Sequence, residues 1–277
     1  MTYKELRSWL LDEASQDSGG DFETVLNTSI NLVYRRLLSE VGQEYQDRVY
    51  TLTATASTGS YGLSLYINRV LNVEDNTNDK SLEEVFRDQI DKAYPDYSVE
   101  DTPRNYFVKG RYGVQTQPAS ASTLTVESSS TADSANRFVR LTGLVSSVQR
   151  TEQLTLTGTT AVTSTLTYDA NGIERVTKST NSGYTIAGNI IVKAGSTTLA
   201  TIPPGVTSPS YLWIQFYPIP SSAITYDIRC EARKPPLVTD DDWPEMDEDF
   251  HDLILYGAAA DTFGLVGKQD VADRMKA

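Results

Sequence analysis

The 277-residue sequence holds one cysteine, Cys230, and one histidine, His251. A single thiol excludes an internal disulfide, which suits folding in a reducing compartment. A single imidazole removes most Ser-His-Asp arrangements and most zinc sites together. Positive charge is also scarce: 24 Lys and Arg stand against 37 Asp and Glu, a net charge of −13. Nucleic-acid binders need a basic stripe that displaces counterions from phosphates, and this chain does not supply one. An acidic surface favours solubility, and it also suits the wall of a passage that DNA crosses without sticking. No apolar run approaches the ~18 residues of a membrane span, and the opening Met1-Thr2-Tyr3-Lys4-Glu5 has no signal-peptide core. The expectation is a protein with neither leader nor membrane contact. Nucleotide-binding glycine motifs and the Gly-x-Ser-x-Gly elbow are missing as well.

What is present is enough for a folded chain. Hydrophobic residues make up 39% and charged residues 22%, a balance that builds cores, and the length allows two domains. Thr2 and Glu5 have capping-box spacing ahead of an apolar stripe of Leu6, Trp9 and Leu10. After a break at Ser18-Gly19-Gly20, Asp21 is placed to cap a second helix, in which Phe22, Val25, Leu26, Ile30, Val33 and Leu37 recur at three- and four-residue steps up to Gly42. Alternation then predicts strands at 49–53 and 61–65 around a turn at 57–60, and another from Ile67 to Val73. Ser81 and Glu84 repeat the capping-box spacing and predict a short helix carrying Leu82, Val85, Phe86 and Ile90, ended by Tyr94-Pro95. Residues 106–108 and 112–114 read as a hairpin around Lys109-Gly110-Arg111.

From Pro118 to about Pro209 the chain is dense in Ser, Thr and Gly with short alternating runs, the pattern of a small β-sandwich. The runs lie at 124–126, 138–141, 153–156, 164–168, 173–176 and 189–192, with Asn171-Gly172 a tight-turn signal. Strand character returns at 212–217 and 224–230. An acidic, proline-rich connector follows through Pro235-Pro236 and Asp240-Asp241-Asp242-Trp243-Pro244. A last helix begins with Glu245, Asp247, Glu248 and Asp249, which suit the positive end of a helix dipole, and its apolar face is Phe250, Leu253, Ile254 and Ala258. The fold class expected is α+β: a helical hairpin and a C-terminal helix with a small antiparallel sheet, interrupted by an all-β immunoglobulin-like sandwich. The domains are 1–117 with 210–277 as one discontinuous body and 118–209 as an insert. For this, the segments flanking the insert must pair.

Chemistry is not expected at any of these features. The carboxylates at 245–249 are explained by a helix start rather than a glycosidase pair. The aspartates at 240–242 lack the alternating oxygens and distal glutamate of a calcium loop. No catalytic residue, metal site or cofactor is assigned. Arg35 and Arg36, and Lys109 with Arg111, are small basic spots suited to ion pairs with an acidic neighbouring subunit. Trp243, Phe250 and Tyr256 complete a set of seven candidate interface residues. Tyr168 and Tyr184 are candidate stacking residues should the sandwich bind glycan.

Taken in order, several segments resemble the head–tail adaptor (connector, neck) subunits of tailed phages. They are Thr2-Tyr3-Lys4-Glu5-Leu6-Arg7 and the helix end Val33-Tyr34-Arg35-Arg36-Leu37-Leu38, then Thr102-Pro103-Arg104-Asn105-Tyr106-Phe107-Val108-Lys109-Gly110. The closing block is Ile214-Gln215-Phe216-Tyr217-Pro218-Ile219-Pro220, Pro235-Pro236-Leu237-Val238, Trp243-Pro244-Glu245-Met246 and Phe250-His251-Asp252-Leu253-Ile254. The likeness covers 1–117 and 210–277; glycines 257, 264 and 267 interrupt the closing helix. It implies a non-enzymatic virion protein at the head–tail interface, assembled in the host cytoplasm. Its copies would form a homo-oligomeric ring, usually of twelve, between the portal and a tail or neck protein, with DNA passing through unbound. The alternative is a phage tail or neck protein that binds glycan or degrades cell wall.

Overall fold

The computed structural model describes residues 1–14, 21–40, 46–93, 98–181 and 184–265. In chain order the elements are α1 (Tyr3–Ala14), α2 (Asp21–Glu40), β1 (Asp47–Ala54), β2 (Ser60–Gly62), β3 (Ile67–Asp75), β4 (Lys80–Ser81), β5 (Glu83–Glu84), α3 (Arg87–Ala93), β6 (Glu100–Asp101) and β7 (Asn105–Tyr112). They continue as β8 (Ser122–Ser128), β9 (Arg137–Val145), β10 (Val148–Thr155), β11 (Val162–Tyr168), β12 (Ile173–Thr180), β13 (Ile190–Ala194), β14 (Thr197–Ile202), β15 (Tyr211–Tyr217), β16 (Ile219–Pro220), β17 (Ile224–Ala232) and α4 (His251–Leu265). The chain is α+β and rich in antiparallel strands. It divides into two compact units, 1–47 with 233–277, and 48–232.

The helical unit is built from both chain ends. Thr2 caps α1 as its spacing requires: its N–H donates to Glu5 Oε2 at 2.7 Å and its Oγ1 accepts from Glu5 N at 3.3 Å. The next two orphan donors of that helix, Tyr3 N and Lys4 N, reach the carbonyls of Asp242 and Asp240 at 2.8 and 3.1 Å. Leu6 and Leu10 of α1, Leu26, Ile30, Tyr34 and Leu38 of α2, and Ile254, Leu255, Ala258 and Ala259 of α4 share one buried core with Leu237 and Met246 of the connector. Gly257 is not a helix breaker. α4 continues past it to Leu265, and a Cβ there would lie 2.7 Å from Val33 Cγ1, so the missing side chain lets α2 and α4 close on each other. The expected start of α4 moves. Residues 248–250 form a 3-10 turn, the helix begins at His251, and its buried face holds Leu255 while Leu253 is exposed. The break at 18–20, Gly42, Tyr94-Pro95 and Gly267 lie outside the described residues.

In the second unit two four-stranded sheets, β1-β17-β3-β4 and β2-β15-β7-β5, enclose a core of Leu212, Ile214 and Phe216 from β15 and Ile224, Tyr226, Ile228 and Cys230 from β17. Phe216 and Tyr226 stack with ring centroids 4.3 Å apart. The segments flanking the Ser/Thr-rich block do pair: β15 runs antiparallel to β7, from Tyr211↔Tyr112 to Tyr217↔Asn105. Residues 106–114 are therefore not a hairpin. Residues 105–112 form one strand with a bulge opposite Trp213 and Ile214, where Gly110 takes φ +132°, a conformation open to glycine. The second capping box also fails. Leu82 N, Glu83 N and Val85 N donate to carbonyls of Val73, Arg104 and Tyr106, so sheet edges claim those donors and the helix starts only at Arg87. The strand expected at 61–65 ends at Gly62.

Residues 122–202 form a two-layer β-sandwich, β10-β9-β12 against β11-β8-β13-β14. Its core holds Leu124, Val126, Val139, Leu141, Tyr168, Val176, Ile190 and Val192, and also Val114, Tyr211 and Trp213 from the flanking segments. β15 is buried along its whole length because it presents one face to this core and the other to the inner sheets. β14 is a strand that the short alternating runs do not indicate. β9 and β10 are hairpin partners within one sheet, held by a turn at Ser146 and Ser147 with φ of 51° and 62°. Asp169 closes that turn, accepting from Ser146 N at 3.0 Å and Ser147 N at 2.7 Å. Asn171-Gly172 is a turn, but it links β11 to β12, strands of different sheets.

Candidate interaction surface

On the helical unit, Trp9 and Tyr256 meet edge to face at 6.2 Å, and Trp243 meets His251 at 5.5 Å in the same manner. Trp9, Trp243 and Tyr256 remain 36%, 47% and 47% exposed, whereas large aromatics without a partner are normally drawn inward. Trp9, read from the sequence as part of the buried stripe of α1, lies at the edge of that stripe. Beside Trp9 and His251 opens a cavity of about 530 Å³ lined by Met1, Glu5, Trp9, Glu248 and His251.

His251 is 1% exposed. The Met1 amine lies 2.7 Å from its Nδ1, and its Nε2 is buried without a hydrogen-bond partner among the described residues. Burial first, and then the neighbouring amine, lower its pKa, although the Met246 and Pro244 carbonyls and Glu248 push the other way. The imidazole is therefore neutral at pH 7. The N–H of Thr2, foremost, holds the Glu5 carboxyl below the usual range.

The remaining candidate interface residues are scattered. Arg35 and Arg36 are exposed on α2, and Arg36 pairs with Glu40 at 3.1 Å. Phe250 is partly buried against the helical core. In the other unit, Lys109 donates to Ser60 Oγ at 3.1 Å; partial desolvation and then the Arg87 charge lower its pKa. Arg111 clamps the carbonyls of Ser210, Ile67 and Asn68. Its guanidinium closes backbone hydrogen bonds within its own unit. Asp242, one of the three connector aspartates, is used locally too. It accepts from Thr239 Oγ1, Val238 N and Thr239 N; burial raises its pKa, and these donors outweigh that to leave it lowered. Among the described residues no cluster of three or more His, Cys, Asp or Glu is arranged to hold a metal ion, and no helix is long and apolar enough to cross a membrane.

Tyr168, a candidate sugar-stacking residue, is fully buried, with its hydroxyl donating to the Leu141 carbonyl at 3.2 Å. Tyr184 is exposed, but the Arg137 guanidinium lies 5.4 Å from its ring centroid.

A family model described as SU10 adaptor protein matches residues 131–276, a little more than half the chain. The chain belongs to the SU10 adaptor protein family. It is thus a phage adaptor, a structural component of the virion that contacts other virion proteins. The matched stretch of the adaptor runs from the sandwich through β15, β17 and the connector into α4 and beyond. It includes strands β9–β14 of the sandwich. No curated protein matches the adaptor's sequence.

Proposed function

We propose that this adaptor forms a ring, of twelve copies, that joins the portal to a tail or neck protein around the DNA exit channel. The observation that carries the reading is the family match over 131–276. The helical unit supplies the body of the ring and the C-terminal segment reaches the portal. The inner sheets face the tail side, with the sandwich as a module inserted between β7 and β15. Arg35, Arg36, Lys109, Trp243, Phe250 and Tyr256 are proposed interface residues; Arg111 acts there through the strand edges it holds. The net charge of −13 suits a channel wall that repels DNA and lets it slide. Assembly takes place in the host cytoplasm without catalytic turnover.

Electron microscopy of purified portal rings mixed with the protein tests this. The expected image is a closed ring of adaptor density on one end of each portal, weakened when Arg35 and Arg36 are both changed to Glu. Portals without added density would overturn it.

A further inference from the structure

The cavity beside Trp9 has a composition that points to one kind of occupant. Its wall combines an exposed indole with two carboxylates, Glu5 and Glu248, against a single amine, so it carries net negative charge. Glu248 is exposed at the rim. Trp243 and Tyr256 stand beside it through their contacts with His251 and Trp9. His251 lines it as a buried, neutral ring that adds no positive charge. Aromatic faces attract cations through the ring quadrupole, most strongly for Trp. Carboxylates beside such a face favour a planar guanidinium over a point-charge ammonium, since the fork can bind oxygen and stack at once. The depression is open to solvent, with a volume of about 530 Å³, so a side chain on a partner's surface can enter it.

We propose that this cavity receives an arginine side chain presented by a partner virion protein. This deepens the adaptor reading by assigning the partner's chemistry, and it is tested without a ring or a portal. The probe is N-acetyl-arginine amide, titrated into the full-length protein while the indole N–H resonances of its three tryptophans are followed by NMR. A saturable shift of the Trp9 resonance with a millimolar dissociation constant is expected. The isosteric but neutral N-acetyl-citrulline amide should give no saturable shift, and N-acetyl-lysine amide should bind more weakly. Glu248→Gln, at an exposed position, should weaken arginine binding about fivefold, the loss of one exposed charge-assisted contact. Absence of a saturable Trp9 shift, equal binding of citrulline or lysine, or an unchanged affinity in Glu248→Gln would overturn the assignment. A failed titration beside an intact portal-bound ring would refute the arginine site alone.

Discussion

The side chain of Asn31 hydrogen-bonds both backbone groups of Leu237, 206 positions away: Nδ2 donates to its carbonyl at 2.9 Å and Oδ1 accepts from its N–H at 2.7 Å. One amide thus mimics a strand neighbour and fixes the connector to α2. Tyr34, one turn further along, continues the attachment by accepting from Glu245 N at 3.2 Å. Through these contacts the C-terminal segment becomes part of a core begun by residues 3–40.

Asn31→Ala leaves both groups of Leu237 without their partner. The expected cost is about 2 kcal/mol, taking roughly 1 kcal/mol per hydrogen bond. Urea unfolding followed by helical circular dichroism measures it, and Tyr34→Phe should cost about half as much because it removes one bond.

Gly257→Ala tests close helix packing. Alanine gains up to about 1 kcal/mol of helix propensity, but its Cβ would sit 2.7 Å from Val33 Cγ1. Overpacking of that kind costs about 1–3 kcal/mol, so the net effect is destabilising. Val33→Ala should be less harmful in the Gly257→Ala background than in the wild type, which a double-mutant cycle would read as coupling.

Asp133 is a fully buried carboxylate in the sandwich. It accepts from Ser128 Oγ at 2.6 Å, Ala187 N at 2.9 Å and Gly188 N at 2.8 Å, and pairs with Arg137 at 3.4 Å. Burial raises its pKa, and these partners more than offset that, leaving it below the ordinary value. A depressed folded-state pKa stabilises the fold above the ordinary carboxylate range, and the contribution is lost as pH falls through the folded value. Asp133→Asn is therefore expected to cost about 3 kcal/mol at pH 7 and to flatten the acid limb of the sandwich's unfolding curve.

Lys178 gives the opposite sign. It is 6% exposed and its Nζ donates to the Pro203 and Pro204 carbonyls. Burial, opposed in part by Asp133, lowers its pKa to about 8. The unfolded chain keeps this proton up to the ordinary lysine value, so its contribution to stability rises with pH from about 8 upward. Between pH 7.5 and 9.5, below the main tyrosine titrations, the wild type should gain stability relative to Lys178→Met.

Much of the fold could be read from the sequence where side-chain period and local capping agree. The Thr2–Glu5 box, the four-residue steps of α2 and the strand at 212–217 are of that kind. Reading failed where a distant partner decided the outcome. Ser81 and Glu84 have capping spacing, but neighbouring strands take the backbone donors. Lys109-Gly110-Arg111 has the composition of a turn but forms a bulge, because β15 runs continuously beside it. β14 reads Thr197-Thr198-Leu199-Ala200-Thr201-Ile202, too polar at its start to register as a strand. The candidate surface is half visible in the sequence: Trp243 stands out as an aromatic flanked by aspartates and a proline. Trp9 does not, since three-residue spacing from Leu6 gives it the look of a core residue, and only the fold brings residues 1–9 beside 248–251.

Mass photometry of the protein alone and with purified portal rings most directly tests whether it works by ring assembly on the portal. The expected result is a portal-dependent species heavier than the portal by twelve adaptor chains. A lone monomer in both conditions would contradict it.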